Sequence, residues 1–128
     1  MRLLLDTHVF LWYITADPNL PDSFREAIQD GKNVTYLSAA SIWEAVIKCA
    51  LGKLPLPDQS AEYLLRQRER HGIAPLPIEE AVFPFLANLP LLHRDPFDRI
   101  LIAQSQQHNL TLLTVDDSVK AYPVALLP

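Results

Sequence analysis

The sequence predicts an α/β fold, a three-layer α/β/α sandwich built on a mainly parallel central sheet. Three observations carry that prediction. Short apolar runs alternate with helix-compatible stretches along the whole chain. The first run, Leu3-Leu4-Leu5, is apolar without interruption, as expected of a strand covered on both faces. The 128 residues are 49% hydrophobic and 20% charged, a globular mixture of one-domain size, so residues 1–128 are expected to form a single domain.

The elements follow in order. Leu3–Leu5 is a buried strand that ends at Asp6. His8–Thr15 and Pro21–Asp30 are helices, with Pro21 suited to a first helical position and Gly31 to the position past an end. Val34–Leu37, β-branched and aromatic, is a second strand. Ser38–Leu51 is a helix stopped by Gly52. The prolines of Lys53-Leu54-Pro55-Leu56-Pro57 force an extended connector. Asp58–His71 is a helix with Asp58 as cap and Gly72 as terminator, and Ile73–Pro77 is a weak strand. Ile78–Leu89 is helical with a break at Pro84. Asp95-Pro96 opens a helix reaching about His108, Leu110–Val115 is a strand, and Val124–Leu127 is a last short one.

Composition excludes several functions. Three separated glycines, Gly31, Gly52 and Gly72, cannot form a phosphate-cradling loop or a dinucleotide fingerprint. One cysteine, Cys49, excludes an internal disulfide and a multi-thiolate zinc site, and reads as a small buried hydrophobe. A net charge of −4 argues against binding nucleic acid by bulk charge. No apolar stretch approaches a membrane span, and the amino end is too short for a signal peptide before Asp6. A cytoplasmic location is expected.

In open parallel sheets, ligands bind outside the carboxyl ends of the strands. Four acids fall there or at the start of the following helix. Asp6 ends the first strand, and is suited equally to a helix N-cap or a site. Glu44 lies in Ser41-Ile42-Trp43-Glu44, which matches a capping box, and precedes Lys48 by four residues, which matches a helical ion pair. Asp98 follows Asp95 and Pro96: Asp95 serves as cap and leaves Asp98 free to project into the cleft. Asp116 and Asp117 end the Leu110–Val115 strand, where such a pair is usually a solvated turn. Each acid has a structural explanation alone. Together, four carboxylates converging on one cleft need a cation or protons, because unit charges about 4 Å apart repel by roughly 4 kcal/mol at intermediate dielectric. All-carboxylate donors select a hard ion, Mg²⁺ or Mn²⁺, and such ions promote water attack on phosphodiesters.

Leu3-Leu4-Leu5-Asp6-Thr7-His8, Ser41-Ile42-Trp43-Glu44 with Lys48, His93-Arg94-Asp95-Pro96-Phe97-Asp98-Arg99 and Thr114-Val115-Asp116 resemble PIN-domain proteins, and more closely the VapC-type toxins of bacterial toxin–antitoxin pairs. The segments occur in family order and span nearly the whole chain. The resemblance implies a metal-dependent endoribonuclease. Asp6, Glu44 and Asp98 fall on its metal-gathering acids, and Asp116 on a fourth, more variable acidic position. Asp117 falls off the motif. Thr7 stands where the family often places a small hydroxyl residue near the site, and His8 where relatives carry another small polar residue. The resemblance also implies an antitoxin partner and a toxin homodimer.

Other residues carry weaker signals. Val9-Phe10-Leu11-Trp12-Tyr13 is apolar enough for either a contact surface or a helix buried on most sides. Arg66, Arg68, Arg70 and His71 spread around their helix as a solvated face, whereas Lys48, Arg94 and Arg99 are closer to the acids and better placed for phosphate. Two other functions fit parts of the pattern. One is a non-catalytic module of the same fold that binds RNA or protein, against which the clustered acids argue. The other is phosphoryl transfer with Asp6 as nucleophile, for which haloacid-dehalogenase-like phosphatases need an acid where His8 stands.

Overall fold

A computed structural model describes residues 1–128 and contains the predicted sandwich. Strands β1 (Arg2–Leu5), β2 (Val34–Ser38), β3 (Ala74–Leu76) and β4 (Thr111–Leu113) form one sheet in the order β3-β2-β1-β4, all neighbours parallel. Leu4 sits in register with Tyr36 of β2 and Leu112 of β4. Helices α1 (Thr7–Ile14), α2 (Asp22–Gln29), α3 (Ala39–Ala50), α4 (Ser60–Arg70), α5 (Phe83–Ala87), α6 (Pro96–His108) and α7 (Asp117–Lys120) cover it.

The two-residue period of β1 serves both layers. Leu3 and Leu5 pack with Phe10, Phe24, Ile28 and Leu64 from α1, α2 and α4. Leu4 faces the other way, onto Ile102 and Ala103 of α6 and Val119 of α7. All three leucines are fully buried, which is why the run has no polar alternation. In α1, Val9, Phe10 and Leu11 are buried and Trp12 and Tyr13 are partly buried against the core. That apolar block is explained by packing.

Several boundaries differ from expectation for local reasons. Pro21 is the N-cap of α2, one residue before its first turn. Gln59, with φ of 59°, precedes α4, so Asp58 does not cap it. Pro84 is the second residue of α5, after a 3₁₀ turn at Glu80–Val82, in the first turn where its missing N–H costs nothing. Strand β4 ends at Leu113 because Thr114 and Asp116 are used in side-chain contacts described below. The expected final strand reduces to one bridge, Leu112 with Leu126, between Pro123 and Pro128. The one-turn helix α7 was not anticipated.

Sheet growth reverses at β1: β2 and β3 lie on one flank, β4 on the other. The carboxyl ends of β1 and β4 therefore border the crevice where parallel sheets of this kind bind ligands. The double duty of β1 predicts that Leu4→Ala lowers unfolding free energy by about 2–5 kcal/mol in urea denaturation, whereas Leu91→Ala, at an exposed position, changes it by less than about 0.5 kcal/mol.

Candidate active site

Asp6 follows β1, and its backbone N–H donates to the Leu113 carbonyl at 3.0 Å, tying it to the end of β4. Its backbone opens α1, yet its side chain makes no cap hydrogen bond. Asp6 Oδ2 instead accepts from the Thr114 hydroxyl at 2.6 Å. The Thr114 hydroxyl in turn accepts from the Asp116 N–H at 3.1 Å.

Glu44 is buried in the second turn of α3. That helix begins at Ala39, and Ser38 caps it by accepting from the Ala40 N–H at 3.0 Å. Ser41 thus lies inside the helix, and Ser41–Glu44 is not a capping box. The Thr7 hydroxyl donates to Glu44 Oε1 at 2.7 Å and lies 3.0 Å from the Ser41 hydroxyl. Lys48 Nζ reaches Glu44 Oε2 at 2.8 Å, as the four-residue spacing led one to expect. Burial alone would lower the Lys48 pKa. The Glu44 hydrogen bond and the charges of Glu44, Asp95 and Asp98 outweigh it and hold the ammonium above its usual range.

Asp98 comes from the first turn of α6. Asp95 caps that helix as expected, accepting from the N–H groups of Phe97 and Asp98 at 2.9 and 3.2 Å. Asp98 Oδ2 then meets His93 Nε2 at 3.0 Å, and His93 Nδ1 meets the Tyr122 hydroxyl at 2.9 Å. Arg99 Nη1 donates to the same hydroxyl and to the Pro90 carbonyl, both at 2.8 Å. Burial pushes Tyr122 up, but the hydrogen bonds from His93 and Arg99 prevail and hold it below the ordinary range. For His93, desolvation is outweighed by the bonds to Tyr122 and Asp98, which raise its pKa.

Asp116 is exposed, and its carboxylate accepts from the Ser118 N–H at 2.9 Å as the cap of α7. Asp117 points to solvent, 3.9 Å from Lys120. The acids nevertheless feel one another. Burial is the main force raising Asp98, to about 6, with Asp95, Asp6 and Asp116 adding repulsion. Burial also raises Asp6, and Glu44 adds to it, although the Thr114 bond opposes both.

Asp6, Glu44 and Asp98 are thus buried and Asp116 is exposed, with Asp6 near enough to Glu44, and Asp98 near enough to Asp6 and Asp116, for their charges to repel. No three of the acidic, histidine or cysteine side chains form a ready-made metal cage. The donor chemistry still fits a hard cation. Asp6 and Asp98 each commit one oxygen to a hydrogen bond and keep the other, while Glu44 has both engaged. Of the candidate substrate contacts, Thr7 holds Glu44, Lys48 pairs with Glu44, and Arg99 is drawn to Tyr122 and Pro90. Arg94 is exposed along a cleft of about 470 Å³ that Glu44, Lys48 and Lys53 also line.

Four side chains with no role assigned from the sequence contribute here: Ser41, His93 and Thr114, which lie inside the segments that resemble the family, and Tyr122, which does not. Thr114 had a usable signal, since it follows the apolar run Leu110–Leu113 as Asp6 follows Leu3–Leu5. Tyr122 had none.

The PIN domain family matches residues 3–124 of this chain. "Ribonuclease VapC16" of Mycobacterium tuberculosis is 46% identical over 57 residues; the match takes in 44% of this chain and only 40% of that relative. Solved structures share the fold. VapBC2 from Rickettsia felis, bound to a promoter DNA fragment, aligns at TM-score 0.72 and 17% identity over 99% of this chain and 98% of its own. VapBC-1 from nontypeable Haemophilus influenzae aligns at 0.69 and 18%, over 99% and 97%. FitAcB from Neisseria gonorrhoeae aligns at 0.63 and 23%, over 98% and 96%.

The raised carboxyl of Asp98 has a signed consequence. Its protonated form is favoured in the fold, so this stability is present below about pH 4 and lost as pH rises through about 6. The raised His93 adds stability below 6.5 that is likewise lost on the alkaline side. In chelating buffer, Asp98→Asn is expected to be about 1–2 kcal/mol more stable than the parent at pH 7, the advantage shrinking toward pH 4. Urea unfolding across that range measures it, and a variant that is less stable at pH 7 would contradict the electrostatic account.

Proposed function

Because this chain belongs to the PIN-domain family, we propose that it is a divalent-metal-dependent endoribonuclease hydrolysing RNA phosphodiester bonds. We further propose that residues 1–128 act as one nuclease domain, the toxin of a toxin–antitoxin pair. The observation that carries the reading is the pair Asp6 and Asp98. They are two buried, mutually repelling carboxylates beside the β1/β4 crevice, each with an oxygen to spare.

In this reading Asp6, Glu44, Asp98 and Asp116 would hold Mg²⁺ or Mn²⁺, and the ion would lower the pKa of a bound water and offset charge developing on the phosphate. Neighbouring residues prepare the three buried acids. Thr114 fixes the rotamer of Asp6, Thr7 that of Glu44, and His93, itself held by Tyr122, that of Asp98. Lys48 is the cation nearest the acids, and with Arg94 it offers the phosphate contacts that a net charge of −4 does not supply in bulk. Arg99, bound to Tyr122 and Pro90, contributes to the scaffold. A cognate antitoxin, a homodimer and a cytoplasmic location belong to the same proposal; no helix is long and apolar enough to cross a membrane.

Cleavage of total bacterial RNA by the purified, antitoxin-free chain tests the reading. Discrete fragments are expected with Mg²⁺ or Mn²⁺ and none with EDTA. Asp6→Asn, Glu44→Gln and Asp98→Asn should each reduce cleavage by about 100-fold or more. Asp116→Asn should reduce it less, its carboxylate being exposed and used as a cap, and Asp117→Asn should change little. Cleavage that survives both EDTA and Asp98→Asn would reject the mechanism. A silent Asp116→Asn with an inactivating Asp117→Asn would reassign the fourth acid, and folded protein that binds RNA without cutting it would favour the non-catalytic module.

A further inference from the structure

Two of the proposed metal-holding acids are each preceded by an aromatic residue, Trp43 before Glu44 and Phe97 before Asp98. The carboxylates turn inward. The two rings meet outside in an edge-to-face pair, with centroids 5.1 Å apart at 82°. Trp43 is 59% exposed, a large apolar ring left open beside a buried charge. The pair forms one wall of a groove of about 370 Å³ whose other walls are Ile78, Phe83, Leu86 and Ile100. Pro96 and Phe97 line both this groove and the cleft that holds Lys48, Lys53 and Arg94, so the two lie side by side.

An occupant must suit both halves. The cleft sets three cationic side chains, Lys48, Lys53 and Arg94, against two carboxylates, Glu44 and Asp95, and so carries a net positive charge on a chain that is net acidic, while the groove offers flat apolar surface with almost no polar lining. A strand of nucleic acid has that duality: its backbone is anionic and each base has an apolar face that stacks on aromatic rings. A duplex does not present it, because its bases are already stacked on one another.

We propose that the Trp43–Phe97 groove is a base-binding subsite for an unpaired nucleotide next to the scissile phosphate, with the neighbouring phosphates on Lys48, Lys53 and Arg94. The proposal rests on the endoribonuclease reading. The lining has few hydrogen-bonding groups, so base preference here follows stacking area, favouring purines, and tolerates any base.

The test measures affinity for a short single-stranded RNA, the same RNA as a duplex, and an abasic strand of equal length. It is done on an Asp98→Asn background with Mg²⁺ so that bound strands stay intact. Trp43→Ala should weaken single-strand binding by about 5- to 100-fold, the range that stacking of one base corresponds to. Trp43→Phe should retain most of the affinity, and the abasic strand should bind weakly and equally to all three proteins. Thermal melting establishes that the exposed substitutions leave the fold intact. Equal affinity of Trp43→Ala and its parent for the single strand would overturn the proposal. So would a parallel loss for the abasic strand, or a shift from dimer to monomer with RNA affinity unchanged, which would make the groove a protein interface. In those cases metal-dependent cleavage by the unsubstituted chain would leave the nuclease reading standing, whereas a chain that binds no RNA in any form would overturn both.

Discussion

Repulsion among carboxylates at the carboxyl ends of β1 and β4 is the constraint around which the rest of the crevice is arranged. At about 4 Å and intermediate dielectric, two such charges repel by roughly 4 kcal/mol, a large share of the marginal stability of a small domain. The chain relieves this with a dedicated partner for each buried acid. Asp6 receives a hydroxyl from Thr114, Glu44 a hydroxyl from Thr7 and the ammonium of Lys48, and Asp98 the imidazole of His93. These partners orient the acids without removing the excess negative charge, which is why burial and mutual repulsion still raise Asp98 to about 6.

The fold brings these groups together by topology more than by local sequence. Asp6 and Thr114 are 108 residues apart yet share a short hydrogen bond because β1 and β4 are adjacent parallel strands that end at the same level. Glu44 enters from α3 and Asp98 from α6, two helices that touch each other at this end of the sheet. The Leu3–Leu5 run anchors the centre of the arrangement, since its side chains are buried in both layers and cannot slip by one residue without exposing core.

Legibility in the sequence tracked the distance over which a feature is determined. The strands and most helices were readable because periodicity, proline and glycine act locally, and Asp95 capping α6 was readable for the same reason. The capping box at Ser41–Glu44 failed because Ser38, three residues earlier, offers its hydroxyl first and starts the helix there. Strand β4 is shorter than the apolar run Leu110–Val115 because Thr114 leaves the ladder to bind a residue from the other end of the chain. The choice between cap and site for Asp6 was open in the sequence, and the structure leaves the cap unused. The His93–Tyr122–Arg99 cluster depends on Tyr122 folding back 29 residues later, a contact that no local pattern encodes.

The central claim is that this crowding of carboxylates is a cation site, and calorimetric titration of the metal-free chain with Mn²⁺ at pH 7 tests it most directly. The account predicts saturable binding that disappears in Asp6→Asn and in Asp98→Asn, together with a rise in melting temperature on Mn²⁺ addition that only the unsubstituted chain shows. Binding of equal strength in all three proteins, or no binding by the folded unsubstituted chain, would contradict it.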